Sequence, residues 1–191
     1  MANLTGQGPI TAPMTTSETV GTSVGDPRVG QRFKDGDGNE YVVVDCQQAF
    51  VAGEWVYIDH NHLATRLTVD GTNGRVGVIT AAVSGSDTKA YAQIYGLYSG
   101  AAGTSNVATS FFLGIQSGTS ALGVIGKVAT SDATGIVIHG AYAVTSPDSG
   151  ATSAYATSFV AADGTSTTYI GFQVWLNYPI VIGTNFIGAT S

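Results

Sequence analysis

Charge is the scarcest ingredient of this chain. Of 191 residues only 10% are Asp, Glu, Lys or Arg, against roughly 25% in an ordinary globular domain. Seven basic and thirteen acidic residues leave a formal net charge of −6. Beyond Lys89 the single basic residue is Lys127. No stretch could neutralise a run of phosphates, which argues against nucleic-acid binding. Cysteine is nearly absent as well. Cys46 stands alone, so no intrachain disulfide can form, and its place at the end of an apolar strand reads as a small hydrophobe rather than a nucleophile. No apolar run approaches the roughly 20 residues needed to cross a bilayer as a helix. The first residues, Met1-Ala2-Asn3-Leu4-Thr5-Gly6, show neither a basic start nor an apolar stretch, so no signal peptide is expected. The sequon Asn3-Leu4-Thr5 then has no secretory route to make it meaningful.

What is present is Gly, Ser, Thr and Ala, with 26 glycines and β-formers spaced between them. The length suits one domain, or two small β-subdomains, with a core of useful size. Residues 1–30 carry Pro9, Pro13 and Pro27 with many Thr and Gly and no periodicity. They cannot bury a core of their own and are expected to form an extended N-terminal arm. Residues 31–191 are expected to be a β-rich domain, which could divide into subdomains at about 31–99 and 100–191. Strands are expected at 32–34, 40–45, 54–59, 76–83, 89–98, 123–129, 136–144 and 169–177, with residues 179–182 as a last edge strand. The Asn73-Gly74 pair marks a hairpin turn, and the first half reads as an antiparallel meander able to close as a small barrel. Trp55 and Tyr57 alternate with Val56 and Ile58, so both faces of that strand are wanted by a core or a partner. Residues 105–113 and 153–162 have enough helical spacing to admit short helices, although their Ser/Thr content favours strand or loop. The fold class expected is all-β: an antiparallel barrel or sandwich with an extended arm.

Several motifs suggest chemistry, and each has a plainer explanation. Asp35-Gly36-Asp37-Gly38-Asn39 resembles the start of a calcium loop. Glu40 stands where the sharp turn needs Gly, however, and Cys46 where a bidentate Glu is required. A turn between two strands accounts for every residue. Gly21-Thr22-Ser23-Val24-Gly25 matches G-x-S-x-G, but it lies in the arm and is followed by Asp26-Pro27 rather than a helix. Asp59-His60-Asn61-His62 could offer two imidazoles on one strand face, yet no third ligand is evident and the segment reads as a turn. His139, within an apolar run, reads as a part-buried histidine. No catalytic residue, cofactor or metal is assigned. Aromatic pairs, Trp55 with Tyr57 and Trp175 with Tyr178, could stack on sugars, although strand aromatics more often serve cores and interfaces. The last 28 residues lack charged side chains, as interface centres do.

Several phrases carry a resemblance: "GQRFKDGDGNEYVVVD" (30–45), "AGEWVYID" (52–59), "GRVGVITAAV" (74–83), "YAQIYGL" (91–97) and "FQVWLNYPIV" (172–181). Together they resemble virion structural proteins of tailed bacteriophages, in particular the small β-rich decoration, or cement, proteins of the head. That resemblance implies a non-enzymatic protein, made in the host cytoplasm and carried on the virion capsid surface, with no cofactor. Its partners would be the major capsid protein lattice and further copies of itself, most simply as a homotrimer. Pro9, Pro13 and Pro27 in the arm, with Tyr95, Tyr98, Phe172 and Trp175, are the interface residues expected on this reading. The alternative is a tail or fibre-associated receptor-binding module.

Overall fold

The computed structural model describes residues 27–67, 74–85, 88–103, 112–115, 125–128, 136–144 and 170–181. Among these there are ten strands and no helix: β1 (Arg32–Lys34), β2 (Glu40–Cys46), β3 (Trp55–Ile58), β4 (Leu63–Arg66), β5 (Gly74–Ile79), β6 (Thr88–Gly103), β7 (Phe112–Ile115), β8 (Gly126–Val128), β9 (Ile136–Ala143) and β10 (Ile170–Val181). The protein is all-β. The expectations for the prolines Pro9 and Pro13, the G-x-S-x-G match and the second admitted helix fall outside the described residues. The segment admitted as a first helix ends in β7.

The first half closes on itself. Strands run in the order β2-β4-β3-β5-β6, and β6 returns to pair with β2. This differs from the expected meander in two ways. β3 lies between β4 and β5, so the two strands on either side of the expected Asn73-Gly74 turn are not hairpin partners. The ring is sealed by a parallel pairing, Asp45↔Leu63 and Cys46↔Ala64, rather than an all-antiparallel one. Alternation then selects the interior. Val42, Val44 and Cys46 of β2, Val56 and Ile58 of β3, Ala64 of β4 and Ala90, Ala92 and Ile94 of β6 form one buried cluster. Phe50 and Val83, bridged through their backbones, cap it.

The opposite faces of β3 and β5 belong to a second core. Trp55, Val76 and Val78 pack with Ala101 of β6, Leu113 and Ile115 of β7, Ile136 and Ile138 of β9, and Phe172, Val174 and Leu176 of β10. The indole N–H of Trp55 donates to the carbonyl of Ala102 at 3.1 Å. Both faces of β3 are thus buried, each in a different core, which is why aromatic and aliphatic residues alternate there. Beyond β6 the sheet continues β10-β9-β7-β8, and Ile125, just before β8, bridges back to Gly103 at the end of β6. β6 serves both halves, so a boundary near residue 99 would cut a continuous strand.

One further difference concerns the C-terminal strand. Residues 170–181 are not a strand followed by an edge: β10 lies between β6 and β9. Pro179 is accommodated because the ladder slips between Leu176 and Ile180. Such a bulge leaves extra residues unpaired, so a missing N–H does no harm. Gly140 makes the slip sterically feasible. It has φ +81°, and a Cβ there would sit 2.5 Å from the Asn177 carbonyl oxygen.

Candidate binding surface

Most sequence-singled residues turn out to serve the fold. Asp35 spends its carboxylate on its own turn: Oδ1 accepts from the backbone N–H of Asp37 and Asn39, and Oδ2 accepts from Asn39 Nδ2 at 2.9 Å and the Tyr41 hydroxyl at 2.7 Å. Partial burial of Asp35 opposes ionisation, but those four hydrogen bonds outweigh it and hold the carboxyl below its usual range. The segment is the turn between β1 and β2. Asn39 also accepts from Leu97 N at 3.1 Å, tying the hairpin to β6.

The Asp59–His62 segment is likewise a turn. Asp59 Oδ1 accepts from the N–H groups of Asn61 and Leu63, both at 2.8 Å, and His62 has φ +63°. His60 and His62 therefore do not alternate along a strand. Among the described residues no three His, Cys, Asp or Glu side chains converge as a metal site would require. Cys46 is buried in the first core, and burial pushes its thiol up to about 12. A thiolate is the reactive form, so burial disfavours reaction at Cys46.

Glu54 and Arg66 form a buried pair: Arg66 Nε donates to Glu54 Oε1 at 3.2 Å, with the two side chains 9% and 1% exposed. Glu54 Oε2 accepts from Val51 N at 2.7 Å and Arg66 Nη2 donates to the Ala49 carbonyl at 2.7 Å. Both contacts reach into the loop between β2 and β3, and the guanidinium lies over the Phe50 ring. The pair staples that loop to β4.

The expected interface aromatics separate into two groups. Phe172, 1% exposed, is part of the second core and offers no surface to a neighbour. Tyr98 packs against the same core and donates its hydroxyl to the Ile79 carbonyl at 3.2 Å. Trp55, a candidate sugar-stacking residue, is fully buried. Trp175 and Tyr95 remain on the outer face. Pro27 is half-buried, and its carbonyl accepts from Lys89 Nζ at 3.2 Å.

Register explains why Trp175 is exposed. Phe172, Val174 and Leu176 point inward, so Gln173, Trp175 and Asn177 point out. Trp175 is opposite Leu97 of β6 on one side and Tyr142 of β9 on the other. The three form a row across three strands, about 10 Å from first to last strand. They are 41–60% exposed. Tyr95 stands edge-on to Trp175, with centroids 5.8 Å apart, and Tyr178 leans over Tyr95 at 5.2 Å. Ser99 with Gln173 and the exposed Val144 continue the face. No position from 95, 97 and 99, through 173, 175 and 177, to 142 and 144 carries a charge. Tyr142 and Val144 were legible only as members of a strand; no sequence signal put them beside Trp175.

Comparison with protein-family models, curated proteins and solved structures returns no match. The centre of this face is apolar, with Leu97, Trp175 and Tyr142 exposed side by side, and at its edge the Tyr178 hydroxyl donates to Glu40.

Proposed function

We propose that the chain is a non-enzymatic virion structural protein that decorates the outer surface of a phage capsid as a homo-oligomer, most simply a trimer. The uncharged row Leu97–Trp175–Tyr142 carries the reading. Aromatic and aliphatic residues exposed together on a sheet, in a row that itself carries no charge, have the composition of an interface centre. The strand phrases resembling head decoration proteins agree with it, as does the low charge of the whole chain. Binding the mature lattice in preference to competing states would stabilise the shell by mass action. The arm supplies a second contact on this reading. It can add a strand to a lattice subunit's exposed edge using backbone hydrogen bonds alone.

The test is a pair of exposed substitutions, Trp175→Lys and Tyr142→Lys, read by light scattering and by sedimentation with DNA-free capsids. Loss of the oligomer or of capsid binding, with an unchanged circular dichroism spectrum, is expected. Wild-type oligomerisation and capsid binding by the double variant would refute the assignment. The arm is tested separately by deleting residues 2–26. The cut stops there because Gly30 N donates to Val43 O and Gln31 O accepts from Val43 N, which makes residues 27–31 part of the barrel. A tail or fibre receptor-binding role is the second reading. Exposed Trp175 and Tyr178 favour it, since ring faces can stack on sugars; glycan-array binding abolished by Trp175→Ala would select it.

A further inference from the structure

Three strands part company at one point. β5 pairs with β6 at Val78↔Gln93 and Ile79↔Ala92. β6 then turns to β10, beginning at Tyr95↔Asn177. β5 meets β10 at Arg75↔Ile180 and Gly74↔Val181. Val76 and Ile94 lie in the gap between these ladders, and β10 crosses it through its bulge. A cleft of about 290 Å³ opens there. Val76, Ile94, Pro179 and Ile180 line it, with Arg32, Arg75 and Tyr178 beside them. The first three of these apolar residues are buried, whereas Arg32 and Tyr178 are exposed, so the floor is hydrocarbon and the mouth is polar.

The mouth is basic in an acidic protein. Two of the seven basic residues meet at this one opening, and among the described residues neither guanidinium forms an ion pair with a carboxylate. Arg75 Nη1 lies 3.5 Å from His62 Nε2. Glu40, on the strand paired with β1, is already engaged by Lys34 at 2.6 Å and by the Tyr178 hydroxyl at 2.8 Å. Tyr178 has φ +48°, a conformation that is strained for a bulky residue and clusters at ligand sites. Its hydroxyl bond to Glu40 and its contact with Tyr95 fix the ring at the mouth before any ligand arrives. Bulges commonly re-aim a side chain in this way.

We infer that this cleft binds a small monocarboxylate with an apolar body, its carboxylate between Arg32 and Arg75 and its hydrocarbon over Val76, Ile94 and Ile180. Guanidinium presents a planar fork matched to carboxylate, and an apolar cavity with few polar groups at one end is the usual form of a small-ligand site. Polyanions fit poorly, because the floor offers them no polar partner and the chain is net negative. The cleft borders the exposed aromatic face through Tyr178, but the carboxylate contact does not rest on the oligomeric reading above.

Titration of the full chain with octanoate, followed by amide chemical shifts, tests it. Saturable shifts in β5, β6 and β10 are expected. Acetate, with the charge and no tail, and octanol, with the tail and no charge, should each bind at least tenfold more weakly. Arg32→Gln, on an exposed edge strand, and Arg75→Gln should each weaken octanoate about tenfold or more, as loss of a hydrogen bond to a charged group does. No saturable response at millimolar octanoate overturns the inference. Octanol binding as tightly as octanoate, or full affinity in the Arg32→Gln variant, overturns it equally.

Discussion

Replacing Arg66 by Met isolates the contribution of the buried ion pair. Met retains much of the length of the Arg66 side chain while removing the guanidinium that lies over Phe50. Glu54 then keeps its hydrogen bond from Val51 N but loses the charge opposite a carboxylate that is 1% exposed. Breaking a buried pair from one side typically costs about 3–5 kcal/mol, because a charge is left in a poorly solvating interior. For a chain of this length that corresponds to a fall in Tm of about 6–20 °C. Urea unfolding of wild type, Arg66→Met and Arg66→Met/Glu54→Gln at pH 7 checks this. The double variant, which also removes the buried carboxylate charge, should be the more stable of the two variants. A loss below about 1 kcal/mol, the size of a surface pair, would refute the reasoning. So would a double variant no more stable than the single one.

Two further expectations rest on single contacts. Gly140→Val should cost about 1–3 kcal/mol from the left-handed backbone alone. Its Cβ also meets the Asn177 carbonyl, so thermal unfolding should fall further than for Gly36→Val, where the space is open. Asp35 has a folded pKa below its unfolded value through its four hydrogen bonds. Its contribution is therefore complete above about pH 4 and lost as pH falls through the folded pKa. Asp35→Asn should flatten the acid limb of a stability-against-pH curve, and an unchanged limb would assign acid lability elsewhere.

Much of the fold could be read from local pattern. The Asp35–Asn39 turn follows from Gly and Asp between two β-former runs, and the strand at 136–143 follows from its apolar run. The double use of β3 was legible in the alternation of Trp55 and Tyr57 with Val56 and Ile58. Strand partners were not. Asn73-Gly74 is a strong local turn signal, but β3 takes the place beside β5 because both of its faces find cores there. Pro179 argued for an edge strand, yet a bulge opposite Gly140 lets it sit in the middle of the sheet. Trp175 and Tyr95 could be named from sequence as uncharged aromatics. Phe172 has the same character and is buried, because inward and outward depend on register rather than residue type.

By itself the sequence determined the class of the protein. Low charge, a lone cysteine at a strand end and closely spaced β-former segments specify strands with uncharged surfaces, through propensities and solvation that act residue by residue. Only the tertiary structure decided which residues share a face. Leu97, Tyr142 and Trp175 are 45 and 33 residues apart along the chain, and they form one row because β6, β9 and β10 pair in a fixed register. The Arg32–Arg75 cleft likewise exists only because β5, β6 and β10 exchange partners where β10 bulges. Long-range pairing of this kind is set by the summed burial of two cores, a quantity that no short stretch of sequence contains.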